Sequence, residues 1–278
     1  MNSMATDLKQ TEHSFSHLSE IISSTELAPG IFRIRINNPD LAIRSMPGQF
    51  INIKISSTYP PLWRRPFSVH NVSMTEGWVE ILFRVVGFGT DILSHLKPGQ
   101  NLDILGPLGN HFVISNIYVH TGVLVAGGLG IAPFLFLSKE LLKNKIQTLL
   151  FYGVRTESEF CCLKEFEQLG VKIYLSTEDG SAGHDGYVTN LVRDQIDKIA
   201  DKRHCAIYAC GPNPMLYALG EIANANRIKC QVSLETLMAC GIGACLGCGV
   251  KANSKELTYR YVCKDGPVFN IDEIDLND

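Results

Sequence analysis

Four cysteines near the end of the chain have the spacing of metal ligands. In Cys240-Gly-Ile-Gly-Ala-Cys245-Leu-Gly-Cys248 three of them are separated by four and then two residues, and Cys263 follows at a distance. Thiolate is a soft ligand that suits iron–sulfur clusters and zinc. A four-residue gap, a two-residue gap and a remote fourth cysteine are the arrangement of plant-type [2Fe–2S] centres. A structural zinc site is the competing reading. Zinc sites more often pair two short knuckles, and here only Cys245 to Cys248 forms one. The glycines Gly241, Gly243, Gly247 and Gly249 let the backbone wrap tightly and turn N–H groups toward sulfurs that carry negative charge. The other five of the nine cysteines, Cys161, Cys162, Cys205, Cys210 and Cys230, are scattered and read as small buried residues.

A second constellation is Arg64-Arg65-Pro66-Phe67-Ser68. A guanidinium can pair with a pyrophosphate, an aromatic ring can line a flavin and a hydroxyl can reach its N5 region. Arg84-Val-Val-Gly-Phe-Gly89-Thr90 adds a second arginine and a glycine-rich turn into a helix whose N-terminus suits a phosphate. Each alone reads equally as a surface strand and a helix start; together they point to a flavin. The third is Gly127-Gly128-Leu129-Gly130, placed where a strand gives way to a helix, so that the backbone can approach a second pyrophosphate. It lacks the GxGxxG fingerprint. Cys210-Gly211-Pro212 closes a later strand and faces the same edge.

The elements that must position these residues fall into three regimes after a loose tail at residues 1–14. From Phe15 to about Tyr118, short alternating runs such as Ile31–Ile36, Phe50–Ile55 and Val79–Val85 are punctuated by Pro29-Gly30, Pro47-Gly48 and Pro98-Gly99. That pattern predicts an antiparallel barrel or sandwich. Residues 119–229 alternate strand and helix: strands near Gly122–Ala126, Thr148–Tyr152, Val171–Leu175 and Ala206–Ala209, with helices starting at Phe134 and covering Glu157–Leu169, Tyr187–Ile199 and Pro214–Asn226. Such alternation predicts a doubly wound parallel α/β domain. Residues 230–278 are glycine- and cysteine-rich, too poor in apolar side chains to fold without a metal centre.

Composition sets the outer bounds. The 278 residues are 45% hydrophobic and 19% charged, as in packed globular proteins. A net charge of −3 offers no footprint for nucleic acid, and the apolar runs are too short to span a membrane. The polar start, without a secretory signal, predicts a cytoplasmic protein, and that in turn argues against a disulfide scaffold.

Arg65-Pro-Phe-Ser68, Gly127-Gly-Leu-Gly-Ile-Ala-Pro133 and Cys210-Gly-Pro-Asn-Pro-Met215 together resemble the ferredoxin reductase superfamily, in which a flavin-binding β-barrel precedes a pyridine-nucleotide domain. Glu235-Thr-Leu-Met-Ala-Cys-Gly-Ile-Gly-Ala-Cys-Leu-Gly-Cys248 with Cys263-Lys-Asp-Gly-Pro267 narrows the likeness to electron-transfer subunits of class 1B dihydroorotate dehydrogenase, from about Phe15 onward. The resemblance implies FAD on Arg65, Pro66, Phe67, Ser68, Leu82, Phe83, Arg84, Gly89 and Thr90. It implies NAD(H) at Gly127, Gly128, Gly130, Cys210, Gly211 and Pro212, and a [2Fe–2S] cluster on Cys240, Cys245, Cys248 and Cys263. It further implies an FMN-containing dihydroorotate dehydrogenase catalytic subunit as partner, two of each subunit in a heterotetramer, serving pyrimidine biosynthesis. Chemistry on dihydroorotate then belongs to the partner, and no catalytic acid or base is expected in this chain. Subunits of a sulfhydrogenase or a bifurcating ferredoxin reductase share the layout.

Overall fold

The computed structural model describes residues 15–55, 61–114, 118–198, 201–254 and 256–276, and the tail expected at 1–14 lies outside them. Six strands, β1 (Phe15–Ala28), β2 (Ile31–Asn37), β3 (Phe50–Lys54), β4 (Arg65–Ser73), β5 (Trp78–Arg84) and β6 (Asn101–Leu108), close into an antiparallel barrel in the order β1-β2-β5-β4-β3-β6. Period-two alternation sends Leu102 and Ile104 of β6, Ile51 and Ile53 of β3 and Ile34 and Ile36 of β2 into its interior. Of the two expected all-β forms the chain therefore adopts the barrel. Two short helices, α1 (Pro39–Arg44) and α2 (Phe88–His95), sit in its connections.

The second unit is a seven-stranded sheet. Its central strands β7 (Thr121–Gly127), β8 (Gln147–Val154), β9 (Lys172–Thr177) and β11 (Cys205–Cys210) run parallel, flanked by the two-residue β10 (His184–Asp185) and by β12 (Lys229–Ser233). Helices α3 (Phe134–Lys143) and α4 (Leu163–Gln168) cover one face, while α5 (Val188–Ile196) and α6 (Asn213–Asn226) cover the other. Successive residues of one strand feed opposite cores: Val123 and Val125 pack with α5 and α6, Leu124 and Ala126 with α3 and α4. Burial on both faces is why these strands read as continuous apolar runs. The helix expected over Glu157–Leu169 is shorter than its pattern. Cys162 takes a left-handed backbone (φ 60°), so a 3-10 turn at Glu157–Glu159 stands apart from α4.

The sheet also runs past the boundary expected at residue 229. Strand β12 crosses it, pairing Ala206 with Lys229 through Cys210 with Ser233. The chain then forms the cysteine loop and a hairpin of β13 (Gly249–Lys251) and β14 (Tyr259–Tyr261), and returns as β15 (Val268–Asn270), antiparallel to β12. Cys248, Val262, Cys263 and Phe269 share the core under α5 and α6, so the last segment folds against the sheet. Among the described residues no helix is long and apolar enough to cross a membrane.

Candidate functional site

Two loops meet at the carboxyl edge of the parallel sheet, where ligands of doubly wound folds bind. The turn Gly128–Ile131 leaves β7, and Gly211–Pro214 leaves β11 into α6. The two are in direct contact: a Cβ on Gly130 would collide with the Cys210 carbonyl, so only glycine fits there. Gly128 by contrast has open space where a Cβ would stand and lines a cleft of about 1070 Å³. Glycine backbone that faces a cavity at a strand end is the cradle a pyrophosphate needs. Gly127, Gly128, Gly130, Gly211 and Pro212 all line this cleft. Cys210 lies behind them, 1% exposed, and burial pushes its thiol up, so it stays a neutral S–H that packs under the turn. Further along the same cleft stand Arg155, Glu178 and Tyr187, on loops after β8, β9 and β10, with Ser176 near the end of β9.

The cleft continues to the barrel, whose Arg84 and Val86 form its opposite wall. The antiparallel register that sets Val69 against Ile81 brings the start of β4 and the end of β5 to one rim. There Gly89, at the start of α2, lies against the Arg65 guanidinium, a Cβ on it standing 3.4 Å from Nε. The Thr90 hydroxyl accepts from the Val86 and Gly87 N–H groups at 2.9 and 3.2 Å, fixing the loop between Arg84 and α2. Arg84 donates to Glu159 across the gap at 3.0 Å. Arg65, Arg84, Gly89 and Thr90 are thus brought together at one rim. Pro66 and Ser68, half-buried, alternate with Phe67 along β4.

The side chains of this segment divide between the barrel interior and its rim. Phe67 turns inward, its ring 5.7 Å from that of Phe83 inside the barrel, because the alternation that leaves Pro66 and Ser68 half-buried buries it. Phe83 is interior for the same reason, while Leu82 faces the α3 side of the nucleotide sheet. Arg64 is a clamp, donating to the Asp103 carboxylate and carbonyl, both at 2.8 Å.

The cysteine loop completes the site. The N–H groups of Ile242 and Cys245 donate to Cys240 Sγ at 3.5 and 3.4 Å, that of Gly243 to Cys263 Sγ at 3.1 Å, and that of Gly247 to Cys245 Sγ at 3.5 Å. Burial raises the Cys240 thiol, but the N–H groups of Ile242 and Cys245 outweigh it and bring it down to about 7. Cys248 and Cys263 stand 3.3 Å apart, and there burial and the adjacent sulfur push Cys263 up to about 12. Among the described residues no three His, Cys, Asp or Glu side chains converge on a single point as a one-ion site requires. The Cys248 and Cys263 sulfurs form one close pair and the Cys245 thiol bonds to that of Cys240, two pairs such as two irons with two ligands each would take. Four thiols with N–H groups aimed at their sulfurs fit a [2Fe–2S] cluster. Cys248 and Cys263 are buried and Cys245 is exposed, so the group has an inner and an outer edge.

Two asparagines that carry no motif hold this loop on the barrel. Asn52 on β3 is fully buried and donates to the Cys240 carbonyl at 3.2 Å. Asn110 donates to the Asp265 and Val268 carbonyls at 2.9 and 2.7 Å and accepts from the Val268 N–H. Their only sequence signal is a polar residue in an apolar β-rich stretch.

Comparison with known proteins agrees with this geometry. Family models match an oxidoreductase FAD-binding domain over residues 19–113, an oxidoreductase NAD-binding domain over 124–220, and the iron–sulfur cluster binding domain of dihydroorotate dehydrogenase B over 235–275. A dihydroorotate dehydrogenase B (NAD(+)) electron transfer subunit from Desulforamulus reducens is 36% identical, over 90% of this chain and 95% of its own length. One from Caldanaerobacter subterraneus subsp. tengcongensis is 41% identical over 82% of this chain and 86% of its own. A solved NADH-dependent reduced ferredoxin-NADP oxidoreductase, studied for flavin-based electron bifurcation, superposes with TM-score 0.82 at 29% identity, over 95% of this chain and 91% of its own. FAD-, NAD- and iron–sulfur-binding domains thus follow one another along a ferredoxin reductase-like fold, and the chain belongs to the family of dihydroorotate dehydrogenase B electron transfer subunits.

Proposed function

We propose that this chain links NAD(H) to an FMN-containing subunit that acts on dihydroorotate, in pyrimidine biosynthesis, as an assembly with two copies of each subunit. Bound FAD would supply two-electron hydride chemistry and a [2Fe–2S] cluster one-electron chemistry. The protein supplies placement. The Gly128 turn and the Gly211 loop hold the nucleotide's phosphates, and Arg65, Arg84 and Gly89 hold the flavin's at the facing rim. Asn52 and Asn110 fix the cysteine loop on the same barrel. The nine unpaired cysteines suit the reducing cytoplasm.

The observation that carries the reading is the outer edge of the cysteine loop. Cys245 is exposed there beside Ile242 (54% exposed) and Leu246 (52%), with Leu237 (93%) on the strand-to-loop connection and Trp63 (54%) on the adjoining stretch before β4. An electron relay has to meet its partner where its carrier nears the surface, and apolar side chains around that point are what a partner interface buries. A Leu246→Asp variant tests this, because a charge buried without a counterpart costs several kcal/mol, roughly 2 or more. It is expected to lose both assembly with the FMN subunit and NADH-linked dihydroorotate turnover, while its NADH:dye activity persists. Normal assembly and turnover by the variant would place the interface elsewhere.

A further inference from the structure

Cys161 and Cys162 stand side by side at the turn into α4, and the electron path makes no use of them. Cys161 Sγ lies 3.6 Å from the Tyr152 hydroxyl of β8, and Cys162 Sγ lies 3.7 Å from His70 Nε2 of β4. The other nitrogen of that ring, Nδ1, is 2.7 Å from the Ala132 carbonyl. His70 is fully buried, and burial holds it below the ordinary histidine range, so the ring is neutral. Nδ1–H donates to Ala132, and Nε2 is left as an acceptor facing the Cys162 thiol. Ala132 directly follows the turn Gly128–Ile131, part of which lines the cleft. A chain of polar contacts therefore runs from the cysteine pair through the barrel strand that carries Ser68 to the nucleotide turn.

The two thiols are unequal. The neighbouring Cys162 thiol and the Tyr152 hydroxyl, 3.6 Å away, hold Cys161 below the ordinary thiol range against its burial, with the Arg84 charge helping, whereas the neighbouring Cys161 and burial push Cys162 up. Thiolate character makes Cys161 the nucleophile of the pair.

We propose that Cys161 and Cys162 are a hydroperoxide-sensitive dithiol whose oxidation to a vicinal disulfide is transmitted through His70 to the nucleotide turn. In the first step Cys161 sulfur attacks the peroxide, the O–O bond breaks, and Cys161–SH plus ROOH gives Cys161–SOH plus ROH. In the second, Cys162–SH displaces hydroxide from Cys161–SOH, giving the S–S bond and water. The two thiols lose two electrons and two protons, and the hydroperoxide is reduced. The pair is 4% and 7% exposed, and Glu159, two residues earlier, lines the cleft. In this proposal the hydroperoxide approaches the pair from that side. Adjacent Cα atoms are about 3.8 Å apart across a trans peptide. That is below the roughly 4.4–6.8 Å of ordinary disulfides, so the bond is strained and readily reduced again. Once it forms, Nε2 of the buried His70 loses its donor, and the ring and the Ala132 carbonyl it holds must shift. The effect on NADH rests on the nucleotide reading of the cleft, whereas formation of the disulfide does not.

The test uses the full chain with its cofactors, treated with tert-butyl hydroperoxide and mapped by peptide mass spectrometry. The peptide holding both cysteines is expected to lose two hydrogens and to regain them with dithiothreitol. Over the same treatment KM for NADH in dye reduction rises several-fold while kcat changes little, and a Cys161→Ser/Cys162→Ser chain keeps its KM. Mapping needs no variant, so a misfolded double variant leaves it intact. Two free thiols after treatment that already oxidises Cys245 would overturn the proposal. A quantitative disulfide with unchanged KM would overturn the transmission through His70.

Discussion

Asn52 Nδ2 donates to the carbonyl of Cys240 at 3.2 Å, and Asn52 itself lies opposite Pro66 in the barrel sheet. One buried side chain thus joins β3, the strand paired with Arg65–Ser68, to the first cysteine of the loop. Gly241 is shaped by the same contact: a Cβ there would collide with the Asn52 amide, and its φ of 72° favours glycine. A barrel strand, and not a flexible linker, therefore fixes where the cysteine loop sits relative to Arg65–Ser68.

Asn52→Ala removes a part-buried hydrogen bond, at a cost of about 0.5–1.5 kcal/mol. The expected outcome is faster loss of iron from the variant during dilution or mild heating, with flavin retained, read as iron and flavin content of the same sample. Equal retention of iron by variant and parent would show that the contact does not hold the loop.

Glu178 lies in the cleft beside Arg155, after the strand where dinucleotide enzymes read the ribose. A carboxylate there accepts from a 2′-hydroxyl and repels a 2′-phosphate. NADH is therefore the expected substrate, and Glu178→Arg should shift the ratio of kcat/KM for NADPH over NADH upward by about tenfold, roughly 1.4 kcal/mol. A parent enzyme that prefers NADPH, or a variant with an unchanged ratio, would contradict the assignment.

The first cluster ligands were legible because they sit in nine consecutive residues, where spacing alone states the chemistry. The barrel strands and the parallel sheet were legible for the same local reason: alternation for one, continuous apolar runs for the other. What escaped was long-range. Asn52 is 188 residues from Cys240, and Asn110 is 158 from Val268, so no window shows either contact. Strand β15 has three residues and finds its place only after the cysteine loop has doubled back. The inward turn of Phe67 depends on which strand face meets the core, which a four-residue motif does not encode.

His70 gives a pH dependence whose sign is fixed by its burial. Burial lowers its basicity from the ordinary 6.5, against the raising effects of the Ala132 carbonyl, Glu80 and Glu165 and alongside the lowering effect of Arg33. The folded chain therefore binds fewer protons than the unfolded one as pH falls below 6.5. The contribution to stability is full above that value and is lost as pH falls toward the folded-state value. Melting temperatures measured from about pH 7 down to about pH 5 should fall more steeply for the parent than for His70→Gln. Parallel curves would show that His70 does not titrate on unfolding.

The most direct measurement is dihydroorotate-dependent reduction of NAD+ by the FMN-containing subunit with and without this chain. The account predicts that the FMN subunit alone passes electrons to a dye but not to NAD+, and that adding the cofactor-loaded chain starts NAD+ reduction. NAD+ reduction at full rate by the FMN subunit alone, or none by an assembled complex with its FAD and iron in place, would contradict it.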